Sequence, residues 1–147
     1  MKNHLQELFS YHHVTNQKII NHLLLNESNV SERTMELLSH SINAHQIWNA
    51  RINDHEQLGV FDVHPIDECL KMDLSNYKVT LEIIQFNDLE TMINYKNTKG
   101  VTYNHSIADI LLHISNHFSH HRGQIMTDMK YSGFDTFPTD YIFFKRN

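Results

Sequence analysis

Thirteen of the 147 residues are histidines. Histidine titrates nearest neutrality and is the commonest metal ligand. Two pairs stand four residues apart, His113/His117 and His117/His121, a spacing at which two imidazoles on one helix face can chelate one ion. At this abundance about one such pair is expected by chance, so spacing alone does not decide, and helical phase must. Counting about 100° per residue from Ile107, His121 lies near about −40° and His117 near about −80°. His113 and His120 fall near about −120° and −140°, towards solvent. The second pair therefore faces the core, and a third ligand would have to come from another helix. Periodicity leaves two readings open for that pair, core histidines satisfied by hydrogen bonds or metal ligands. His4, His55, His64, His105, His113 and His120 read as solvated surface.

Other chemistries find no support. There is no Glu-x-x-His of a di-iron bundle, no His-Glu-x-x-His, no Gly-x-Ser-x-Gly and no phosphate-binding glycine loop. The single Cys69 excludes a disulfide framework and has no activating neighbours, so it reads as a buried, idle thiol.

The elements that must position these residues are helices. Only four glycines and two prolines interrupt the chain, which favours long uninterrupted elements. Residues 4–25 predict a helix with Leu5, Leu8, Phe9, Ile19, Ile20 and Leu23 on one face and His12 and Asn16 at its centre. Residues 32–56 predict a second, with a stripe of Leu37, Ala44, Trp48 and Ile52. His40 and His45 sit on either side of that stripe, and His40 shares its side with Arg51. Residues 66–87 predict a third, carrying Leu70, Leu74, Tyr77, Leu81 and Ile84. Strand formers around Asn97-Thr98-Lys99-Gly100 predict a small hairpin within 89–104. Residues 106–131 predict the last long helix, with Ser106 as N-cap and Asp109 completing a capping box. The tail, with Tyr141-Ile142-Phe143-Phe144, is expected to pack back on the bundle. Residues 1–147 thus read as one domain, an all-α four-helix bundle with a small β-hairpin inserted before the last helix.

A formal charge of −5 with scattered lysines and arginines argues against nucleic acid as a partner. No apolar run reaches the 18 or more residues of a transmembrane span, and the start of the chain reads as an amphipathic segment rather than a signal peptide. A cytoplasmic protein acting on a small molecule, with no membrane partner, is the expectation.

The run Asn116-His117-Phe118-Ser119-His120-His121-Arg122-Gly123-Gln124-Ile125 resembles the signature of the DinB family (DinB/YfiT-like metalloenzymes), where it falls in the last bundle helix. His40, eight residues before Trp48, resembles the family's second helix. Tyr11 and Asn16 resemble the polar pattern of its first, and the hairpin with Gly100 and the Pro138–Phe144 ending also match. The resemblance covers nearly the whole chain. It implies a three-histidine centre for a divalent metal ion (zinc, nickel or iron), with His40, His117 and His121 as ligands. His45 competes with His40 for the place on the second helix. Gly123 is expected to permit a close helix approach near the metal. His12 is the candidate general base, and Asn16 and Trp48 are candidate pocket residues. The resemblance further implies a thiol S-transferase, with a low-molecular-weight thiol cosubstrate attacking an electrophile, in detoxification or stress, and a homodimer. A metal-dependent hydrolase and a non-enzymatic metal-binding stress protein are the alternatives.

Overall fold

The computed structural model describes residues 1–146. Four long helices, α1 (Lys2–Leu25), α2 (Glu32–Asn53), α3 (Ile66–Phe86) and α4 (Ile107–Tyr131), form the bundle. A hairpin of β1 (Met92–Lys96) and β2 (Thr102–Ser106) precedes α4, and a short α5 (Tyr141–Lys145) closes the chain. No described helix is long and apolar enough to cross a membrane.

The ends of the elements follow local chemistry. The Ser31 and Ser106 hydroxyls accept the backbone N–H of Thr34 and Asp109, capping α2 and α4. The second helix stops at Asn53, short of the expected 56, because Asp54 turns left-handed (φ 54°). The hairpin pairs Met92 with Ser106 through Lys96 with Thr102. Its turn uses Gly100 at φ 77° and the Asn97 side chain, which accepts two backbone N–H groups. Ser106 thus ends β2 and caps α4, which joins the hairpin rigidly to that helix.

The apolar clusters give the helix directions. One joins the start of α1 (Leu5, Phe9), the end of α3 (Ile83, Ile84) and the start of α4 (Ile107, Leu111). The other joins the end of α1 (Ile20, Leu23), the starts of α2 (Leu38, Ile42) and α3 (Ile66, Cys69) and the end of α4 (Ile125, Met129). So α2 and α3 run in the same direction. The connection between them must return the length of α2, whose 22 residues span about 33 Å. Residues 54–65 can do this only when nearly extended, since their reach is about 40 Å.

Between the two apolar ends lies a polar waist, and here the expected stripes shift. On α3 the inward face is Ile66, Cys69, Asp73, Asn76, Thr80 and Ile83, while Leu74 is 40% exposed. On α2 it is Leu38, Ile42, His45 and Asn49, with Leu37, Ala44, Trp48 and Ile52 only half-buried. The reason is pairing: polar side chains of the waist find partners on other helices. Asp73 accepts from Asn16 (2.9 Å), Gln17 (2.9 Å) and the His13 ring (2.6 Å). The Asn49 amide donates to the Asn76 carbonyl, and the Asn76 amide to that of Ile42. The tail docks on this waist through Tyr11, whose hydroxyl donates to the Thr139 carbonyl (2.6 Å) and whose ring meets Tyr141 and Phe144. Ile142, 52% exposed, stays outside that packing.

Candidate metal centre

His40 on α2 and His117 and His121 on α4 come together at the half-buried margin of the bundle. His117 Nε2 lies 3.2 Å from Nε2 of both His40 and His121. One nitrogen from each of the three fits within a 4.8 Å span. The remaining nitrogens fix the tautomers. His121 Nδ1–H donates to Gln124 Oε1 (2.7 Å), and His40 Nδ1–H to the Val60 carbonyl (3.3 Å). Both imidazoles therefore present a bare Nε2 lone pair to the cluster centre, the usual arrangement behind a metal-bound histidine. With metal–nitrogen bonds of about 2.0–2.1 Å, tetrahedral ligands sit about 3.3–3.4 Å apart, close to the two 3.2 Å separations from His117. Burial, then the neighbouring His121 and His40, pushes the His117 pKa down to about 3. His121 is lowered as well, chiefly by burial. Neutral imidazoles are the form that ligates. The residues present fit a divalent ion.

The long 54–65 connection braces this site. It offers the Val60 carbonyl to His40 and stacks Phe61 on the His40 ring (centroids 5.8 Å apart, planes at 15°). Asn43 ties it down by donating to the Asp62 carbonyl (2.7 Å) and accepting from the His64 ring (2.6 Å). His64 is thereby half-buried rather than the solvated side chain expected. A pocket of about 440 Å³ opens over His40 and His121, walled by Leu37, Phe61 and Val63 with Arg33 and Glu36 at its side. Periodicity carries no signal for a loop, so these bracing residues were invisible in the sequence.

Behind the site, Ser41, Phe118 and Arg122, each the residue after a histidine of the cluster, line one cavity of about 10 Å³. Arg122 is 5% exposed. It donates to the Tyr11 hydroxyl (2.7 Å), to His12 Nδ1 (2.8 Å) and to Asn16 Oδ1 (3.3 Å). These bonds fix the rotation of α4 that turns His117 and His121 to the margin. Asn16 joins Arg122 to Asp73 in this network. His12 uses both ring nitrogens there, since Nε2–H donates to Ser115 Oγ (2.8 Å). Burial, then Arg122, pushes its pKa down to about 2.

His45 lies in the waist, apart from the cluster. It is 3% exposed and its Nε2–H donates to Thr80 Oγ (2.7 Å), while its Nδ1 is buried without a partner. Burial pushes its pKa down to about 4. Trp48 stands farther along the margin, against Tyr95, His113 and Arg51. Cys69 is fully buried, and burial raises its thiol pKa to about 11. Gly123 corrects another expectation: a Cβ there would meet nothing within 4 Å, so no close helix approach requires it.

The family model described as DinB family matches residues 1–147, the whole chain. No curated protein and no solved structure gives a match.

Proposed function

The chain belongs to the DinB family, and from that premise we propose that it is a metal-dependent enzyme. His40, His117 and His121 would hold one divalent ion (zinc, nickel or iron), and the reaction would join a low-molecular-weight thiol to a small electrophile. The observation that carries this reading is the convergence of three imidazoles, two with bare Nε2 atoms, beside an open pocket of about 440 Å³. When bound, the ion supplies a Lewis acid with an open coordination position, which lowers the pKa of a thiol or water placed there.

The chain's own residues set the rest. Gln124 and the Val60 carbonyl hold the two flanking imidazoles in the ligating tautomer. Leu37, Phe61 and Val63 take the apolar part of the electrophile and exclude water from it. Arg33 and Glu36 offer charge to a polar cosubstrate. In the net reaction a carbon–sulfur bond forms, the leaving group departs with its bonding pair, and the thiol proton leaves to solvent through the open pocket. His12, with both nitrogens engaged in the waist, is left out of that proton transfer. A cytoplasmic homodimer completes the proposal, with the exposed Ile142 available to an interface. Light scattering at two protein concentrations tests the dimer.

The functional test uses metal-loaded protein with cysteine as thiol and chlorodinitrobenzene as electrophile. Metal-dependent consumption of both, lost in His117→Ala, supports the transferase. Turnover of an aryl ester without thiol would replace it by a hydrolase. No turnover, together with unchanged stability after chelation, would leave a metal-binding stress protein.

A further inference from the structure

The margin between α2 and α4 continues past the three histidines. The His113 ring lies 5.9 Å from that of His117 and 5.1 Å from Trp48. Trp48 meets the hairpin's Tyr95 edge to face at 4.9 Å. Against these two rings lies Arg51, its guanidinium carbon 4.4 Å from the centre of Trp48 and 5.0 Å from that of Tyr95. On α2, Arg51 is about 20° round from His40 and about 16 Å farther along the axis.

Arg51 is half-buried, yet among the described residues it makes no hydrogen bond and no ion pair, and its Nε–H is buried without a partner. The Nε–H of Arg122 is unpartnered too, but its outer nitrogens donate to three side chains, and those of Arg51 donate to none. A guanidinium carries five N–H donors in a fixed fork, and partial burial without an acceptor is costly. The aromatic clamp holds the plane of the fork but satisfies none of its donors. A carboxylate would pair with the two outer nitrogens through two parallel charge-assisted bonds.

Beside the clamp is a pocket of about 210 Å³ lined by Trp48, Tyr95, His105, Asp109, Ile110 and His113. Four rings and the Ile110 side chain suit a flat apolar body, Asp109 is the one acid among them, and Arg51 is outside this lining but lies on the Trp48 and Tyr95 rings that form part of it. Asp109, the acid of the lining, accepts from the Ser106 hydroxyl (2.8 Å) at the N-terminus of α4, where the helix dipole offsets its charge. A singly charged group fits such walls better than a phosphate dianion, whose desolvation costs more.

We propose that Arg51, Trp48 and Tyr95 form a second binding site, for a small carboxylate with a flat apolar body, such as an aromatic acid. The site rests on the unpaired guanidinium and its rings alone. It stands whether or not the three histidines hold a metal.

Trp48 is the single tryptophan, so intrinsic fluorescence reports on this site alone. Metal-free protein is titrated with benzoate and, separately, with benzyl alcohol. Benzoate is expected to give a saturable change and benzyl alcohol none. Affinity should fall about tenfold or more in Arg51→Gln, the size of a lost charge-assisted bond, fall less in Arg51→Lys, and hold in His121→Ala. Tyr95→Ala, on the hairpin, should weaken benzoate several-fold and provides the test if Arg51→Gln fails to fold. No saturable change, an equal response to benzyl alcohol, unchanged affinity in Arg51→Gln, or loss in His121→Ala would each overturn the proposal.

Discussion

Two sets of histidines in this bundle meet opposite fates. In the waist, His12 has a donor bonded to one nitrogen and an acceptor to the other, and His45 donates to Thr80. At the margin, His40 and His121 spend their N–H groups on outer acceptors and turn bare lone pairs towards His117. The difference teaches that burial and histidine content do not mark a ligand. What the second nitrogen touches does. Waist histidines are spent on the fold, whereas the margin histidines hold a geometry that fits a metal ion.

That contrast can be broken most forcefully at Arg122. Arg122→Leu strips the donor from Tyr11, His12 and Asn16 and should cost about 3–5 kcal/mol in urea unfolding. Arg33→Leu, at the exposed side of the outer pocket, should stay within about 0.5 kcal/mol. Equal costs would erase the distinction between waist and margin.

Metal linkage comes next. At a thousandfold excess of zinc over its Kd, native-state binding contributes about 4 kcal/mol, or a rise in Tm of roughly 10 °C for a chain of this size. The rise should vanish in His121→Ala and persist in His45→Ala, read by calorimetry.

Acid sharpens the comparison from the waist side. His12 and His45 have folded pKa values lowered to about 2 and about 4. Their burial is therefore harmless above pH 6.5, and stability falls as pH drops below it, because the unfolded chain takes up the protons first. By pH 5 each should have cost about 2 kcal/mol. In metal-free protein, His45→Gln should remove about that much from the difference in unfolding free energy between pH 7 and pH 5. A small gain is expected at Gly123→Ala, which should stabilise α4 by up to about 1 kcal/mol, since the added methyl meets open space. A loss of stability there would mean that a surface left open in the single chain is covered in solution.

Where the sequence was legible, local chemistry and packing agreed. In α4 the apolar period and the cap point the same way, but helical phase turns the His117/His121 pair to the core, whereas both lie half-buried at the margin and Arg122 takes the inward place. The hairpin was equally readable, because Asn97 and Gly100 carry turn chemistry of their own. On α2 and α3 the readings slipped, since inward positions such as His45, Asn49, Asp73 and Thr80 are polar and a polar residue counts as outward in a periodicity argument. Choosing His40 over His45 needed the resemblance, because phase placed both beside the stripe. The bracing loop was invisible because its position follows from α2 and α3 running parallel, a property of the assembled bundle and of no local segment.

The most direct test is elemental analysis of untagged protein after purification and metal reconstitution, with wild type beside His121→Ala and His45→Ala. About one divalent ion per chain is expected in wild type and in His45→Ala, consistent with a single three-imidazole site, and none in His121→Ala. Metal retained in His121→Ala, or absent from the wild type after reconstitution, would contradict it.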